Sequence, residues 1–381
     1  MIRMPVTYEY LFQLISAAFT GQTPPEKPDE VSWEELFRAA KRQSVFMLAF
    51  DSVKRLQNKP NGKQLDLWQT RSSKLMTKSI NQSVEIERLL AVFEREGIDV
   101  LPLKGYLLRD LYPHRELREM TDFDLLVKDD RSEKMKQTMK QIGYEFSADV
   151  DHHAGYMKKP YVVIELHTKL LPDRFGRKEY YRSVWTKAKC TDGMKHIYEM
   201  SPEDFLIYIL LHFEKHYHNT GCGIRFLVDI HAILRSYGAK LDQAYLQSEF
   251  DKLGLREFTD AVFSLERAVF YGEDASESAR ELLERMIRLG TFGTNAGREE
   301  NIIDRLTPKN GSRTVGKLRY YLRIVFPPVS EMKCSYPVVD KAKFLLPVFW
   351  LCRGVKTVFR NPKHISEHYQ RIMSYGENKK K

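Results

Sequence analysis

Two aspartates stand one residue apart in the stretch Arg118-Glu-Met-Thr-Asp-Phe-Asp-Leu-Leu-Val127. The run they open has the character of a buried strand, where side chains at i and i+2 share a face. Asp122 and Asp124 therefore project together, while Phe123, Leu125 and Val127 fill the opposite side. Two carboxylates about 5 Å apart at an effective dielectric near ~20 repel by roughly 3 kcal/mol. A favourable cross-strand pair returns only about 0.2 to 1 kcal/mol. The pair therefore calls for positive charge, and a divalent metal ion is the leading candidate.

Two further features extend the site. Upstream, Leu101-Pro-Leu-Lys-Gly-Tyr-Leu-Leu108 sets Gly105 at a strand-to-helix junction, where exposed backbone N–H groups can hold a phosphate. Lys104 and Tyr106 flank that glycine, and Lys104 reads either as a phosphate contact or as a solvated turn lysine. Downstream, Tyr161-Val-Val-Ile-Glu-Leu-His167 offers Glu165 on a second strand, with Val162, Ile164 and Leu166 on the other face. If the two strands are neighbours, Glu165 stands beside the aspartates, and His167 shares its face. The plainer alternatives are a surface pair between Glu165 and Lys169 and an Arg118 that only balances the aspartates.

The order strand, glycine turn, helix, Asp-x-Asp strand and later carboxylate resembles the DNA polymerase beta nucleotidyltransferase superfamily. Within it, LPLKGYLLRDLYPHRELREMTDFDLLV is similar to a bacterial group described as uncharacterised nucleotidyltransferases. The similarity extends, with falling specificity, to AAKRQSVFMLAF before it and to HFEKHYH and IRFLVDI after it. The resemblance implies a magnesium-dependent transfer of a nucleoside monophosphate from a nucleoside triphosphate to an acceptor hydroxyl. It implies a two-ion site, Mg²⁺ or alternatively Mn²⁺, on Asp122, Asp124 and Glu165 as catalytic and metal-binding residues. Lys104, Gly105, Tyr106 and Arg118 would be the nucleotide-binding group. One departure is the turn, where relatives carry Gly-Ser or Gly-Gly and this chain has Gly105-Tyr106. Lys104 and Arg118 would supply the charge that the missing serine does not. The acceptor, whether small molecule, protein or RNA, is not named by these residues.

Other polar clusters read more simply. His212, His216 and His218 lack the glutamate that a zinc protease motif needs after its first histidine, so they are expected to form a polar helix face beside the cleft. Arg225 and Asp229, four apart, read as a helix pair worth about 0.2 to 0.5 kcal/mol. Gly316-Lys-Leu-Arg-Tyr-Tyr-Leu-Arg-Ile-Val-Phe326 fits a half-buried helix as well as a stacking surface for nucleic acid.

The elements that must position these residues are legible from periodicity. Ser32-Trp-Glu-Glu35 has the capping-box pattern, and helices are predicted from about Asp66 to Ser79 and from Ser83 to Glu96, closed by Gly97. Strands are predicted at Ile98 to Gly105, at the aspartates and in a hairpin near Gly155 to Leu166, with a helix over Asp130 to Ile142. From Ser201-Pro-Glu-Asp204 onward the chain reads as helices. The expected architecture is an α+β nucleotidyltransferase core with a small mixed sheet, a helical N-terminal region and a larger helical C-terminal domain. The expected domains are 1–80, 81–195 and 196–352, followed by a basic tail, 353–381.

The 381 residues suit more than one domain, and 43% hydrophobic with 12% aromatic content excludes wholesale disorder. A formal charge of +10 favours an anionic partner, nucleotide or nucleic acid among them. The four cysteines have no metal-binding spacing, which suits a reducing, cytoplasmic setting. The N-terminal segment reads as an amphipathic helix rather than a signal peptide, because Glu9 and Gln13 interrupt it. Phe344 to Cys352 is too short to span a bilayer and reads as a core segment, with a membrane-surface element as the alternative that its basic flanks leave open. No transmembrane segment is expected. Besides the enzyme, a protein that keeps the fold to bind nucleotide or a partner without turnover remains the alternative, and Tyr106 in the phosphate turn favours it.

Overall fold

A computed structural model describes residues 2–128, 132–150, 153–160, 162–170, 180, 184–219, 221–291, 303, 306–308, 312–329, 332, 336 and 338–360. Two compact units emerge: Met1–His216 with Cys222–Phe292, and Tyr217–Gly221 with Gly293–Lys381.

The first unit begins with helices α1 (Val6–Thr20), α2 (Trp33–Arg42) and α3 (Phe46–Val53). Helix α1 buries Tyr10, Leu11, Phe12, Leu14 and Ile15. Ser32 caps α2 as its sequence pattern predicts, its hydroxyl accepting from the Glu35 N–H at 3.1 Å. Helix α4 (Gly62–Glu96) is continuous for 35 residues, where sequence periodicity predicted two helices. The polar Asn81-Gln-Ser83 looks like a boundary, yet Ser79 and Gln82 are buried and the Arg109 guanidinium bonds the Ser79 hydroxyl and carbonyl. Tertiary packing there overrides local propensity. The helix ends at Gly97, whose φ of 66° suits a glycine cap.

The sheet runs β1-β2-β5-β4-β3, from strands β1 (Val100–Pro102), β2 (Phe123–Val127), β3 (Glu145–Val150), β4 (His153–Lys158) and β5 (Val162–His167). Only β2 and β5 pair in parallel; the other neighbours are antiparallel, so the sheet is mixed, as expected. Short helices α5 (Gly105–Arg109) and α6 (Glu133–Gln141) follow β1 and β2. One face of the sheet buries Phe123, Leu125, Val127, Ile164 and Leu166 against Ile86, Leu89 and Phe93 of α4. This apolar face fixes the register and leaves Asp124, Glu165 and His167 on the other.

After α7 (Val184–Lys187) and the small pair β6 (Lys189–Cys190) and β7 (Tyr198–Glu199), the unit is helical. Helices α8 (Pro202–Asn219), α9 (Ile224–Tyr237), α10 (Gln243–Leu253), α11 (Arg256–Phe270) and α12 (Glu277–Leu289) occupy the segments with helical spacing. Ser201 caps α8 by accepting from the Asp204 N–H at 3.1 Å.

The second unit contains α13 (Arg313–Val325), α14 (Val338–Lys341) and α15 (Leu346–Arg360). Helix α13 is half-buried, with Tyr320 inside and Leu318 exposed. The reading of Phe344 to Cys352 as core is corrected: Phe344 is 81% and Leu351 73% exposed. The run is an amphipathic helix that sets Phe349 against Tyr336 and Trp350 against Phe326 and leaves Phe344 and Leu351 exposed. Most of the basic tail lies outside the described residues. No helix among the described residues is long and apolar enough to cross a membrane.

Candidate active site

Strand β2 is flanked by β1 and β5, and the parallel register sets Asp124 against Glu165 and Leu126 against His167. The condition for Glu165 to stand beside the aspartates is therefore met. Asp122 directly precedes the strand, and both aspartates line one cleft of about 230 Å³. Its other walls come from the turn after β1, through Lys104 and Gly105, and from α8 and α9, through His212, His216, Arg225 and Phe226.

Asp124 is the buried centre of the acidic group. Its Oδ1 accepts from Lys104 Nζ at 2.8 Å and meets His167 Nε2 at 2.9 Å. Burial alone would raise its pKa, but Lys104 and His167 hold it well below the usual carboxylate range. For His167, burial opposes the charge, and the bonds to Asp124 and Glu165 outweigh it and raise the pKa. Its Nε2 lies 3.4 Å from Glu165 Oε2. Asp122 differs: burial first, then Asp124 and Glu165, raise its pKa, while Thr121 Oγ1 donates to it at 3.0 Å. Negative charge is thus concentrated where Asp122 faces the other two carboxylates.

This donor set fits a divalent cation. One ligand atom from each of Asp124, Glu165 and His167 lies within 4.8 Å of the others. Burial and the neighbouring carboxylates disfavour the charge on Asp122, with Lys104 and Thr121 opposing them in part, so further cationic charge is favoured there. Carboxylate oxygens suit Mg²⁺ or Mn²⁺, and His167 acts on Asp124 as an orienting partner.

The glycine turn is built differently from its sequence expectation. A Cβ on Gly105 would lie 2.8 Å from Arg118 Nη1 and 2.9 Å from Met120 Cε. The glycine thus makes room for the Arg118 side chain. Helix α5 has only five residues. Lys104 has φ of 36°, rare for a residue with a side chain, and such strain concentrates at functional positions. Tyr106 turns to the core, its ring 6.4 Å from that of Phe123. Lys104, Gly105, Arg118, Asp122 and Asp124 are thus gathered in the cleft, with Glu165 paired to Asp124 behind them and the Tyr106 ring on the core side.

Arg118 does not pair with the aspartates through hydrogen bonds. Its Nε and Nη2 donate to Asp229 Oδ1 and Oδ2 at 2.7 and 2.8 Å. Tyr112 adds its hydroxyl to Asp229 Oδ1 at 2.7 Å. This corrects the helix pair read between Arg225 and Asp229: Arg225 Nη1 instead donates to the Glu119 carbonyl at 3.1 Å. Burial and then the nearby Arg118 lower the pKa of Arg225. Its Nε has no hydrogen-bond partner among the described residues. A buried guanidinium with a spare donor on a cleft wall suits an anion.

His212 and His216 meet at 3.1 Å between their Nε2 atoms, and both rings pack near Phe226. Burial, with surrounding cations, lowers both pKa values, that of His216 to about 3. They are neutral at physiological pH, so one Nε2 donates and the other accepts. Of the expected polar face, His212 and His216 line the cleft, whereas His218 is exposed and is not among its lining residues. Sequence reasoning passed over Tyr208, fully buried, whose hydroxyl feels Asp124 and Glu165. A tyrosine in an apolar helical run carries no signal of that neighbourhood.

A family model described as uncharacterised nucleotidyltransferase matches residues 29–271. No curated protein matches the chain. Among solved structures, an antigenic nucleotidyltransferase-like protein from Paracoccidioides brasiliensis aligns with 53% of this chain and 95% of its own, at 17% identity and TM-score 0.29. The Megavirus polyadenylate synthase aligns with 57% of this chain and 40% of its own, at 12% identity and TM-score 0.28.

Proposed function

The chain belongs to the uncharacterised nucleotidyltransferase family, and from that premise we propose that it transfers a nucleoside monophosphate from a nucleoside triphosphate to an acceptor hydroxyl. The acceptor hydroxyl gives up its proton to solvent, its oxygen attacks the α-phosphorus, the bond from that phosphorus to the α,β-bridging oxygen breaks, and pyrophosphate leaves. The observation that carries this reading is one cleft lined both by Asp122 and Asp124 and by the cations Lys104, Arg118 and Arg225. The superfamily we assign is that of DNA polymerase beta, in its bacterial branch.

Asp122, Asp124 and Glu165 would hold the divalent ion, magnesium or manganese. When bound, the ion supplies charge neutralisation at the reacting phosphate and an activated hydroxyl. His167 orients the Asp124 carboxylate through its hydrogen bond. Lys104 and Arg225 balance the triphosphate charge, and Arg118 is held in place by Asp229. A cleft of about 230 Å³ takes phosphates rather than a whole nucleotide, so base and sugar lie toward its mouth. We propose the cytoplasm as the setting; Cys190, Cys222 and Cys352 are free thiols, consistent with reducing conditions.

A second reading, nucleotide or partner binding without turnover, rests on the Lys104 ammonium at 2.8 Å from Asp124, where it already neutralises a carboxylate the metal would need. Calorimetric titration of ATP, GTP, CTP and UTP with Mg²⁺ and with EDTA tests both. Metal-dependent binding that disappears in Asp122→Ala/Asp124→Ala supports the enzyme. Metal-independent binding that survives the double substitution favours the second reading, and no binding by folded wild type overturns both nucleotide readings.

A further inference from the structure

Outside the cleft, the exposed face of α4 carries a second cavity of about 820 Å³. Lys63, Arg71, Lys74 and Lys78 stand along it against a single acid, Asp66. Phe37, Leu67 and Leu75 lie between the cations, and Leu67 is 58% exposed. From Lys63 to Lys78 the helix advances about 22 Å at its ~1.5 Å rise. The cations can track a phosphodiester backbone, and Phe37 is the aromatic ring among the lining residues on which a base can stack.

The groove is connected to the cleft through named contacts. Arg71 Nη2 lies 3.5 Å from Glu119 Oε2, and the Glu119 carbonyl accepts from Arg225, a residue of the cleft wall. About two turns beyond Arg71, where the row ends, the half-buried Lys78 ammonium is disfavoured by burial and favoured by the charges of Asp122 and Glu119. The basic row therefore ends within the field of Asp122, one of the aspartates that line the cleft.

We propose that this groove is the acceptor's track and that the acceptor is a single-stranded nucleic acid, its terminal hydroxyl delivered to the cleft at the Lys78 end. The assignment of the acceptor rests on the nucleotidyl-transfer reading; binding of the strand does not. An acidic polypeptide would satisfy the cations too; a groove whose Arg71 connects through Glu119 to the wall of a nucleotidyl-transfer cleft favours the strand.

The test is fluorescence anisotropy of a labelled single-stranded RNA 15-mer with the full-length protein, without nucleotide or metal. Contacts from three to four cations predict an affinity loss of about 20- to 50-fold between 50 and 200 mM salt. Lys63→Glu/Lys74→Glu, at exposed positions, is expected to weaken binding at least 10-fold with an unchanged melting curve and unchanged nucleotide binding by calorimetry. A milder variant, Lys78→Met, is expected to weaken it less. RNA that does not bind, or binds equally to the double variant, overturns the proposal. Displacement by poly-glutamate as effective as by unlabelled RNA overturns it in favour of an acidic polypeptide. Groove-dependent RNA binding together with absent nucleoside triphosphate binding leaves the track standing and removes the transfer reading instead.

Discussion

Arg118 and Asp229, 111 residues apart in sequence, are joined by two parallel hydrogen bonds of 2.7 and 2.8 Å with both side chains buried. The pair ties the segment before β2 to α9 and so fixes one wall of the cleft against the other. Removing one member strands the other's charge, at a cost of roughly 3 to 5 kcal/mol. Asp229→Ala is therefore expected to lower stability by that amount in denaturant unfolding and to weaken nucleotide binding. Asp229→Asn, which keeps one acceptor, is expected to lose less of both.

Gly105→Ala tests the same wall from the other side. The added methyl meets Arg118 Nη1 at 2.8 Å and Met120 Cε at 2.9 Å. Met120 can yield, but Arg118 is held by Asp229, so the strain is not freely relieved. Overpacking of this kind costs about 1 to 3 kcal/mol. The expected result is destabilisation in that range, and a neutral result would show that Arg118 is free to move.

Lys104→Met removes the cation that bonds Asp124. Nucleoside triphosphate affinity is expected to fall roughly tenfold, or about 1.4 kcal/mol, by calorimetry at fixed Mg²⁺. Burial then acts on Asp124 with only His167 opposing it, so its pKa rises. If affinity for metal and nucleotide increases instead, Lys104 is a competitor of the ion, and the reading without turnover gains.

Much of this arrangement is written in local pattern. Phe123, Leu125 and Leu166 on one face require Asp124 and Glu165 on the other, because strand period and burial leave no choice. The helices after Ser201 follow from spacing and caps in the same way. What depends on distant partners was not legible. The Arg118–Asp229 pair has no sequence signature, and Arg225 with Asp229 mimics a local helix pair. Gly105 reads as a phosphate turn, although its missing Cβ is required by Arg118. The continuity of α4 past Ser79 rests on Arg109, and the row from Lys63 to Lys78 becomes a groove only when α2 lies beside it.

The neutral histidines make stability depend on pH with a definite sign. His216 titrates at about 3 in the folded chain, mainly through burial, and near ~6.5 when unfolded. Between these values the unfolded state binds more protons, so stability is fully present above about 6.5 and is lost as pH falls toward 3, by roughly 1.4 kcal/mol per unit for this group. His212, shifted in the same direction, steepens the loss. Urea unfolding of wild type and His216→Gln at pH 5 and 7 measures the difference. The variant is expected to show the shallower slope.

Tyr208 supplies a test in which nothing needs to bind. Its hydroxyl is fully buried, has no hydrogen-bond partner among the described residues, and lies in the field of Asp124 and Glu165. An unsatisfied buried hydroxyl carries a desolvation penalty of about 1 to 3 kcal/mol, and phenylalanine removes it while keeping the ring. Tyr208→Phe is therefore expected to melt at or above the wild-type temperature without ligand. A lower melting temperature would mean that the hydroxyl is satisfied in solution, through water shared with the carboxylates. Adding Mg²⁺ to both proteins sharpens the result, since a hydroxyl that bonds an ion's water makes the wild type gain more stability than the variant.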